Sequence, residues 1–322
     1  MRVIYNPEMD PTWNLAAEEW LLMHTHEDIF MLWRNARSVI VGRNQNTLAE
    51  INLNYVRQHN IPVVRRLTGG GAVFHDPGNL NFTCISRYAG SCGLDFQRFA
   101  SPIITALQAM GVPCSFNGRN DIIAEGKKIS GNAQYISGNR VLHHGTLLFS
   151  SQLEDMANAL RPNTAKFSGK AVKSVRTRVG NIIDMLPHPM HIEEFSTTLL
   201  QQIAKDQPTE ELGSEEKGKI EKLATKYRSW EWNYGRSPRY DIRRISRTAG
   251  GTIDVHITVR HGLIAGIRLY GDYFGIRDVA ELESALLGCH YDVRALADLL
   301  ADLPLSEYMQ GVDAITLAGC MI

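Results

Sequence analysis

The sequence has no excess of charge of one sign and no long apolar run. Its 322 residues include 34 Lys and Arg against 34 Asp and Glu, and this balance argues against a protein that binds nucleic acid through a general positive charge. No stretch approaches the roughly 18 apolar residues of a membrane-spanning helix, and the N-terminus has no secretory signal pattern. We therefore expect a cytoplasmic protein that binds neither nucleic acid nor membranes.

Cysteine is scarce, and its spacing fits neither a zinc site nor a disulfide framework. The five cysteines are Cys84, Cys92, Cys114, Cys289 and Cys320. Their number is odd, and no CxxC pair or Cys/His cluster with zinc spacing occurs. The pattern is typical of reduced thiols in a cytoplasmic protein.

Two common phosphate-binding loops are absent as well, since neither GxxxxGK[ST] nor GxGxxG occurs. In their place, three consecutive glycines at residues 69–71 follow the paired cations Arg65 and Arg66. Glycine lacks a Cβ and tolerates positive φ, so successive main-chain N–H groups can converge on a ligand. The two arginines are predicted to add bidentate positive charge to this loop.

Hydrophobic periodicity predicts an α/β protein. Helices are predicted near residues 14–24, 53–59, 95–110, 191–205 and 215–227. Strands are predicted at 29–34, 38–42, 61–66, 79–86, 112–116, 122–124, 128–135 and 142–149, the first two paired with each other. These elements indicate a catalytic domain over residues 1–242, with a mixed, largely antiparallel sheet and flanking helices. Strands at 253–259 and 263–269 and helices near 279–287 and 293–303 indicate a small C-terminal α+β domain over residues 243–322.

The glycine run belongs to a longer motif that resembles a known family. RRLTGGGAVFHDPGN at residues 65–79 is similar to the lipoate-binding loop of the lipoate-protein ligase A family, RRxxGGGxVxHDxGN, in the biotin and lipoate protein ligase superfamily. Further matches follow in the family's order: GRNDI at 118–122, KKISGNA at 127–133, HHGTLLF at 143–149 and SVRTRVGN at 174–181, which resembles its adenylate-binding loop. The resemblance runs from NLAAEE at residues 14–19 to about residue 240 and extends more weakly into the C-terminal tail. Several ordered motifs are far more specific than any single one.

The resemblance implies an ATP-dependent lipoate-protein ligase. Lipoate, or octanoate, would be activated to an acyl-adenylate, because a carboxylate does not condense with an amine at neutral pH without activation. The acyl group would then pass to a lysine of a lipoyl domain, in E2 subunits of 2-oxoacid dehydrogenases or in the glycine-cleavage H protein. ATP with Mg²⁺ is implied as the co-substrate, and no tightly bound prosthetic group is expected.

Lys128 is the predicted catalytic residue. Strand alternation would place Lys128 and Ser130 on one face and Lys127 on the other. An ammonium between the acyl carboxylate and the α-phosphate would neutralise both groups and stabilise the transition state. Asp121 would either orient Lys128 or bind Mg²⁺ on the phosphates.

The resemblance carries further site residues onto this chain. It assigns to the binding of lipoate and its adenylate Arg66, Thr68, Gly69, Gly70, Gly71, Ala72, His75, Asn79, Asn120, Asp121, Ser130, Gly131, His144 and Thr146. For His75 and His144 a purely structural role is an equal alternative. Lys173, Ser174, Val175, Arg176 and Arg178 belong to a basic loop expected to close on the adenylate and exclude water from the anhydride.

Three other functions compete with the ligase. An octanoyl- or lipoyltransferase of the same fold would use no ATP and could use a cysteine nucleophile; Cys84 is near the site in sequence, although nothing marks it as activated. A non-enzymatic scaffold that binds lipoyl domains is opposed by the Lys128 motif. A biotin ligase is opposed by the absence of its glycine-arginine loop. The basic loop and the C-terminal domain favour the ligase.

Overall fold

The structure is a computed structural model that describes residues 1–88, 95–117, 120–160, 179–205, 207–237, 240–271, 273 and 275–322. It divides into two compact units, Met1–Ser229 and Trp230–Ile322. The predicted domain boundary after residue 242 falls inside a strand, Tyr240–Thr248, of the second unit. The fold class is the predicted one: a mixed sheet with flanking helices, followed by a unit with a small antiparallel sheet.

The strands of the first unit form two sheets. They are β1 (Arg2–Asn6), β2 (Ile29–Arg34), β3 (Ser38–Val41), β4 (Val63–Arg65), β5 (Val73–His75), β6 (Asn79–Arg87), β7 (Cys114–Phe116), β8 (Asp121–Ala124), β9 (Lys127–Ser137), β10 (Arg140–Leu148) and β11 (Thr209–Glu210). The large sheet has the order β11-β1-β2-β6-β10-β9-β8-β7, and the small sheet has the order β4-β3-β5. In the large sheet β1 pairs in parallel with β11 and β2, and the other pairs are antiparallel.

The predicted pairing of β2 with β3 is wrong, because these strands lie in different sheets. Both edges of β2 are occupied, one by β1 and the other by β6. At the end of β2 a side chain forms the next hydrogen bond, because Asn14 Nδ2 donates to the carbonyl oxygen of Arg34 (2.8 Å). Strand β3 therefore starts a second sheet, and that sheet carries the glycine loop.

The helices of the first unit are α1 (Pro11–His24), α2 (Thr47–Glu50), α3 (Leu53–Gln58), α4 (Phe96–Ala109), α5 (Leu153–Ala159), α6 (Ile192–Ala204) and α7 (Ser214–Arg228), with a 3₁₀ turn at Ile182–Met185. Helix α1 starts after Asp10, whose carboxylate accepts from the Thr12 N–H (2.8 Å). Pro11 occupies the first turn, where its missing N–H costs nothing.

The two faces of the large sheet have different chemistry. On one face the apolar residues of β2, β6 and β10 pack against α4 and α6; among them are Phe30, Leu32, Leu80, Phe82 and Leu147. On the other face β6 and β10 carry polar side chains such as Asn81, Thr83 and His144, whereas β2 carries Ile29, Met31 and Trp33. Helix α1 contacts β6 and β10.

The second unit is a three-stranded antiparallel sheet with helices. After a π-helical turn at Glu231–Gly235 come β12 (Tyr240–Thr248), β13 (Gly251–Arg260), β14 (Leu263–Gly271), α8 (Val279–Leu286), α9 (Val293–Ala301), α10 (Leu305–Tyr308) and α11 (Ala314–Met321). The predictions for β13, β14, α8 and α9 are confirmed. Strand β12 was not predicted, since its alternation is carried mainly by polar residues. Among the helices in the described ranges, none has both the length and the apolar character needed to cross a membrane.

Candidate active site

A cavity in the first unit is lined by the glycine loop and by strands of both sheets. The cavity residues are Leu15, Trp33, Ile40, Arg66, Gly70, Gly71, Ala72, Val73, His75, Asn81, Asn120, Lys128, Gly131, Asn132, Ala133, His144, Gly145 and Thr146. They include residues of NLAAEE, the glycine loop, GRNDI, KKISGNA and HHGTLLF. The folded chain thus brings the separated motifs to one place.

Both arginines of the glycine loop are buried and bond to the protein. Arg65 Nη1 donates to three backbone carbonyls, including that of Gly42 (3.0 Å). Arg66 Nη2 donates to the carbonyls of Gly69 (2.7 Å) and Gly71 (2.8 Å), and its Nη1 donates to Ile40 (3.1 Å). The prediction that both arginines offer bidentate charge to a ligand is therefore wrong. The guanidinium groups hold the loop in shape, and burial lowers the pKa of Arg66 to about 10.

This arrangement leaves the donors of the glycine loop available. The carbonyls of Gly69 and Gly71 accept from Arg66, while no N–H of Gly69, Gly70 or Gly71 donates to another described residue. Gly70 has a φ of 91°, which L side chains rarely adopt. A Cβ on Gly42 would lie 2.0 Å from the Gly70 oxygen. Within the loop it is therefore Gly70 that requires glycine, whereas a Cβ on Gly69 or Gly71 would meet no atom within 4 Å. The N–H groups of all three residues can donate hydrogen bonds to a ligand.

Lys128 projects over Gly131, and a β-bulge decides this direction. The register between β8 and β9 shifts between Ile122 and Ile123, so the simple alternation along β9 is broken. A Cβ on Gly131 would lie 2.8 Å from Lys128 Nζ. The ammonium is 2.7 Å from Asp121 Oδ1, and its side chain is 37% exposed. Lys128 can thus be paired by Asp121 and still reach a ligand.

Ser130 does not share the face of Lys128, so that prediction is wrong. Its side chain is fully buried and accepts from Asn132 Nδ2 (3.3 Å). Asn132 Nδ2 also donates to the carbonyl of Asn120 (3.0 Å), and Asn132 Oδ1 lies 3.1 Å from His143 Nε2. This network connects the buried Ser130 and His143 to Asn120 and Asn132, which line the cavity. His143, buried within it, has its pKa lowered to about 3 by burial.

Glu18 was missed by the sequence analysis. Its carboxylate is 3% exposed and accepts from His144 Nδ1 (2.9 Å) and from the hydroxyl of Thr83 (2.6 Å). His144 Nε2 is 2.8 Å from Thr68 Oγ1, which accepts from Arg66 Nε (2.9 Å). The network therefore joins α1, β10 and the glycine loop. The signal that could have found it is the NLAAEE string, which places an acid on a helix that is buried over most of its length.

His75 lines the inner part of the cavity and is held as a neutral imidazole. Asn14 Nδ2 donates to Asn35 Oδ1 (2.9 Å), so Asn35 Nδ2 is the atom that donates to His75 Nδ1 (2.9 Å). Burial, with the Arg66 charge and His144 nearby, lowers the pKa of His75 to about 3. Nδ1 accepts, and the proton is on Nε2. That N–H is buried and has no partner among the described residues.

The predicted site residues fall into three groups. Those that line the cavity are Arg66, Gly70, Gly71, Ala72, His75, Asn120, Lys128, Gly131, His144 and Thr146. Those that support it from behind are Thr68, Gly69, Asn79, Asp121 and Ser130. Lys173, Ser174, Val175, Arg176 and Arg178 lie outside the described residues. The chain is described again from Val179, which bridges to Lys128, and the Gly180 N–H donates to the Lys128 carbonyl (3.0 Å).

The site offers neither an activated thiol nor a protein-built metal site within the described residues. No three His, Cys, Asp or Glu side chains come together there as metal ligands would. Cys84 does not line the cavity, and burial raises the pKa of its thiol to about 12. The groups that line the cavity are therefore the Lys128 ammonium, the buried Arg66 guanidinium, backbone N–H groups and hydrogen-bonding side chains.

Comparison with known proteins covers both units of the chain. Residues 10–204 match the model of the lipoyl protein ligase A/B catalytic domain, and residues 237–321 match that of the bacterial lipoate protein ligase C-terminus. Lipoate–protein ligase 1 of Staphylococcus aureus is 44% identical over 327 aligned positions, which cover 100% of both chains.

Solved structures share the fold of the chain. One is the bipartite lipoate protein ligase of Thermoplasma acidophilum, from an archaeal lipoylation system that includes an E2 lipoyl domain. It has a TM-score of 0.65 and 27% identity, covering 74% of this chain and 99% of that one. Another is a lipoate-protein ligase A bound with ATP, with a TM-score of 0.62 and 26% identity, covering 73% and 98%. The match of both family models and the full-length similarity show that this chain is an enzyme of the lipoate-protein ligase family.

Proposed function

We propose that the protein activates lipoate with ATP and transfers the lipoyl group to a protein lysine. In the first step a carboxylate oxygen of lipoate attacks the α-phosphorus of ATP, the bond to the β-phosphate oxygen breaks, and pyrophosphate leaves. In the second step the lysine amine attacks the carbonyl of lipoyl-AMP and loses a proton. AMP leaves, and an amide bond has formed.

The position of Lys128 carries this proposal. Its ammonium lies at the cavity, above the bare backbone of Gly131, where a carboxylate and a phosphate can both approach it. A fixed cation between two anionic reactants lowers their repulsion and stabilises the added charge of the transition state. Asp121 restrains the ammonium without occupying the cavity.

The acyl chain would lie across the strands, from Lys128 toward Trp33. Lys128 is on β9 and Trp33 is on β2, and these strands are separated by β10 and β6 in the large sheet. Neighbouring strands are about 4.8 Å apart, so three spacings span about 14 Å. This length suits an extended medium-chain acid. Leu15 and Ile40 supply apolar wall along the way.

The nucleotide would bind at the same end as Lys128. The free N–H groups of the glycine loop can donate to phosphate oxygens. Val179 and Gly180, which follow the basic segment in sequence, pair with Lys128. Mg²⁺ would arrive on the triphosphate, because Asp121 alone does not make a protein metal site. Its chemical contribution is to neutralise phosphate charge.

The transferase alternative is less well supported. A thioester mechanism needs a thiolate in the cavity. None of the cysteines in the described ranges lines the cavity, and burial raises the pKa of Cys84 to about 12. For the acceptor we propose lipoyl domains such as E2 domains and the H protein, on the basis of the family. The unpaired thiols among the described cysteines favour a reducing compartment, the cytoplasm.

Pyrophosphate release tests the proposal. Purified protein is mixed with ATP, Mg²⁺ and lipoate, with and without an apo lipoyl domain, and pyrophosphate and the mass of the domain are followed. We expect pyrophosphate only when both ATP and lipoate are present, and a lipoyl mass increase only with the domain. Modification of the domain by a lipoyl or octanoyl carrier-protein thioester without ATP would instead establish the transferase.

A further inference from the structure

The inner end of the cavity contains a hydrogen-bond donor that the protein does not use. His75 is 4% exposed and its Nε2 has no partner among the described residues. The chain of donors from Asn14 through Asn35 fixes its tautomer, so the free atom is an N–H and not a lone pair. Leaving such a donor buried and unpaired costs stability, and the cost is recovered if a ligand accepts from it.

The neighbouring residues mark this place as the end opposite to Lys128. The rings of His75 and Trp33 are in edge contact, with centroids 6.2 Å apart. Asn81 is the cross-strand partner of Trp33 and also lines the cavity. Asn81 Oδ1 accepts from Asn79 Nδ2, and Asn81 Nδ2 is buried without a partner among the described residues. Two polar groups therefore converge where the far end of an acyl chain would lie.

A plain alkyl terminus leaves both groups unpaired, whereas a ring with sulfur atoms offers acceptors. Sulfur is a weak acceptor, but the alternative for a buried N–H is no partner at all. The Glu18 network does not compete for the ligand here, because its carboxylate already accepts from His144 and Thr83. The His75 Nε2–H and the Asn81 Nδ2 group are thus the donors at this end that have no partner among the described residues.

We propose that the His75 Nε2–H, assisted by Asn81, recognises the sulfur-bearing ring of the acyl substrate and discriminates it from an alkyl terminus of similar size. This inference rests on the proposed ligase function. It makes His75 a specificity-determining residue that contacts the substrate at the end opposite to the reacting carboxylate. The net value of a neutral hydrogen bond corresponds to about a threefold to tenfold preference.

The first test uses the unmodified enzyme. Lipoate is compared with cyclopentylpentanoate, in which two CH₂ groups replace the sulfur atoms, and with octanoate, by measuring kcat/KM for pyrophosphate release. We expect lipoate to be favoured over the carbocyclic analogue about threefold to tenfold. Equal kcat/KM values for lipoate and the analogue would overturn the inference. If no acid supports pyrophosphate release, the proposed function fails instead.

The second test uses variants. His75→Phe keeps a ring but removes the donor, and His75→Gln restores an N–H near the same place. We expect His75→Phe to lower the ratio of kcat/KM for lipoate to kcat/KM for the analogue toward one, while the analogue is still used. His75→Gln should recover part of that ratio. His59→Phe, at an exposed histidine, is the matched control. A His75→Phe protein that loses both substrates equally would show that the imidazole only shapes the cavity, and the inference would be abandoned.

Discussion

The two ends of the cavity are built in different ways. At the outer end Lys128 is about one third exposed, is paired by a single carboxylate, and is placed by a β-bulge. At the inner end Glu18 and His75 are nearly fully buried and belong to extended hydrogen-bond networks. At the outer end the Lys128 ammonium has room to move with the reacting groups. The inner end holds a fixed shape.

This difference teaches which variants should affect activity and which should affect stability. A lysine that is about one third exposed contributes little to folding, because its charge is largely solvated in either state. A buried hydrogen-bonded group is different, because its removal leaves partners unpaired in a dry site. The predictions below separate the two ends by measuring turnover and unfolding in the same variants.

The largest effect is expected at Lys128. Lys128→Ala should reduce pyrophosphate release by at least about 10²-fold, the scale of losing a transition-state electrostatic partner. The melting temperature should change little. The matched control is Lys127→Ala, because Lys127 is exposed and does not line the cavity. Equal losses in the two variants, with both proteins folded, would refute the assignment of Lys128.

Substitution of Arg66 should lower both turnover and the free energy of unfolding. Arg66→Lys removes a guanidinium that donates to three carbonyls and one hydroxyl, and one ammonium does not span these acceptors. We expect the free energy of unfolding in urea to fall by roughly 3 kcal/mol and turnover to fall because the glycine loop loses its shape. Arg98→Lys, at an exposed arginine, should cost less than about 0.5 kcal/mol. A stable and active Arg66→Lys protein would mean that the loop is held by other contacts.

His143 should make stability depend on pH. Its pKa is about 3 in the folded chain and 6.5 ordinarily, so between these values the unfolded chain binds a proton that the folded chain excludes. Stability therefore falls as the pH drops below about 6.5, by up to about 1.4 kcal/mol per pH unit for this group. His143→Gln should lose that part of the slope in urea unfolding at pH 5 and 6.5. The exposed His59→Gln should keep the wild-type slope, and an unchanged slope in His143→Gln would contradict the neutral state of His143.

The smallest effect is expected at Cys84. Cys84→Ser should retain most pyrophosphate release and lipoyl transfer, because the thiol does not line the cavity and an adenylate mechanism needs no protein nucleophile. Both rates should be measured beside those of Cys114→Ser, a buried cysteine in a different strand. A folded but inactive Cys84→Ser protein would favour the transferase.

The sequence predicted most elements and the cavity-lining motifs because those signals are local. The period of apolar residues located the helices and strands, including β2 and α4, to within a few residues. The glycine triplet indicated close approach of the backbone, which a φ of 91° at Gly70 now explains. Residues whose role depends on partners far along the chain were less predictable, and Glu18 is the clearest case.

What the sequence determined by itself was therefore the family, the order of the elements and which residue types meet at the cavity. Tertiary structure decided how those residues are used. Both edges of β2 are paired with other strands, so β3 lies in a second sheet. A bulge places Lys128 at the cavity and Ser130 away from it. The buried Arg66 guanidinium donates to carbonyls of its own loop. The physical reason is that hydrogen-bond partners, strand register and desolvation are properties of the packed chain, and no local pattern of residues contains them.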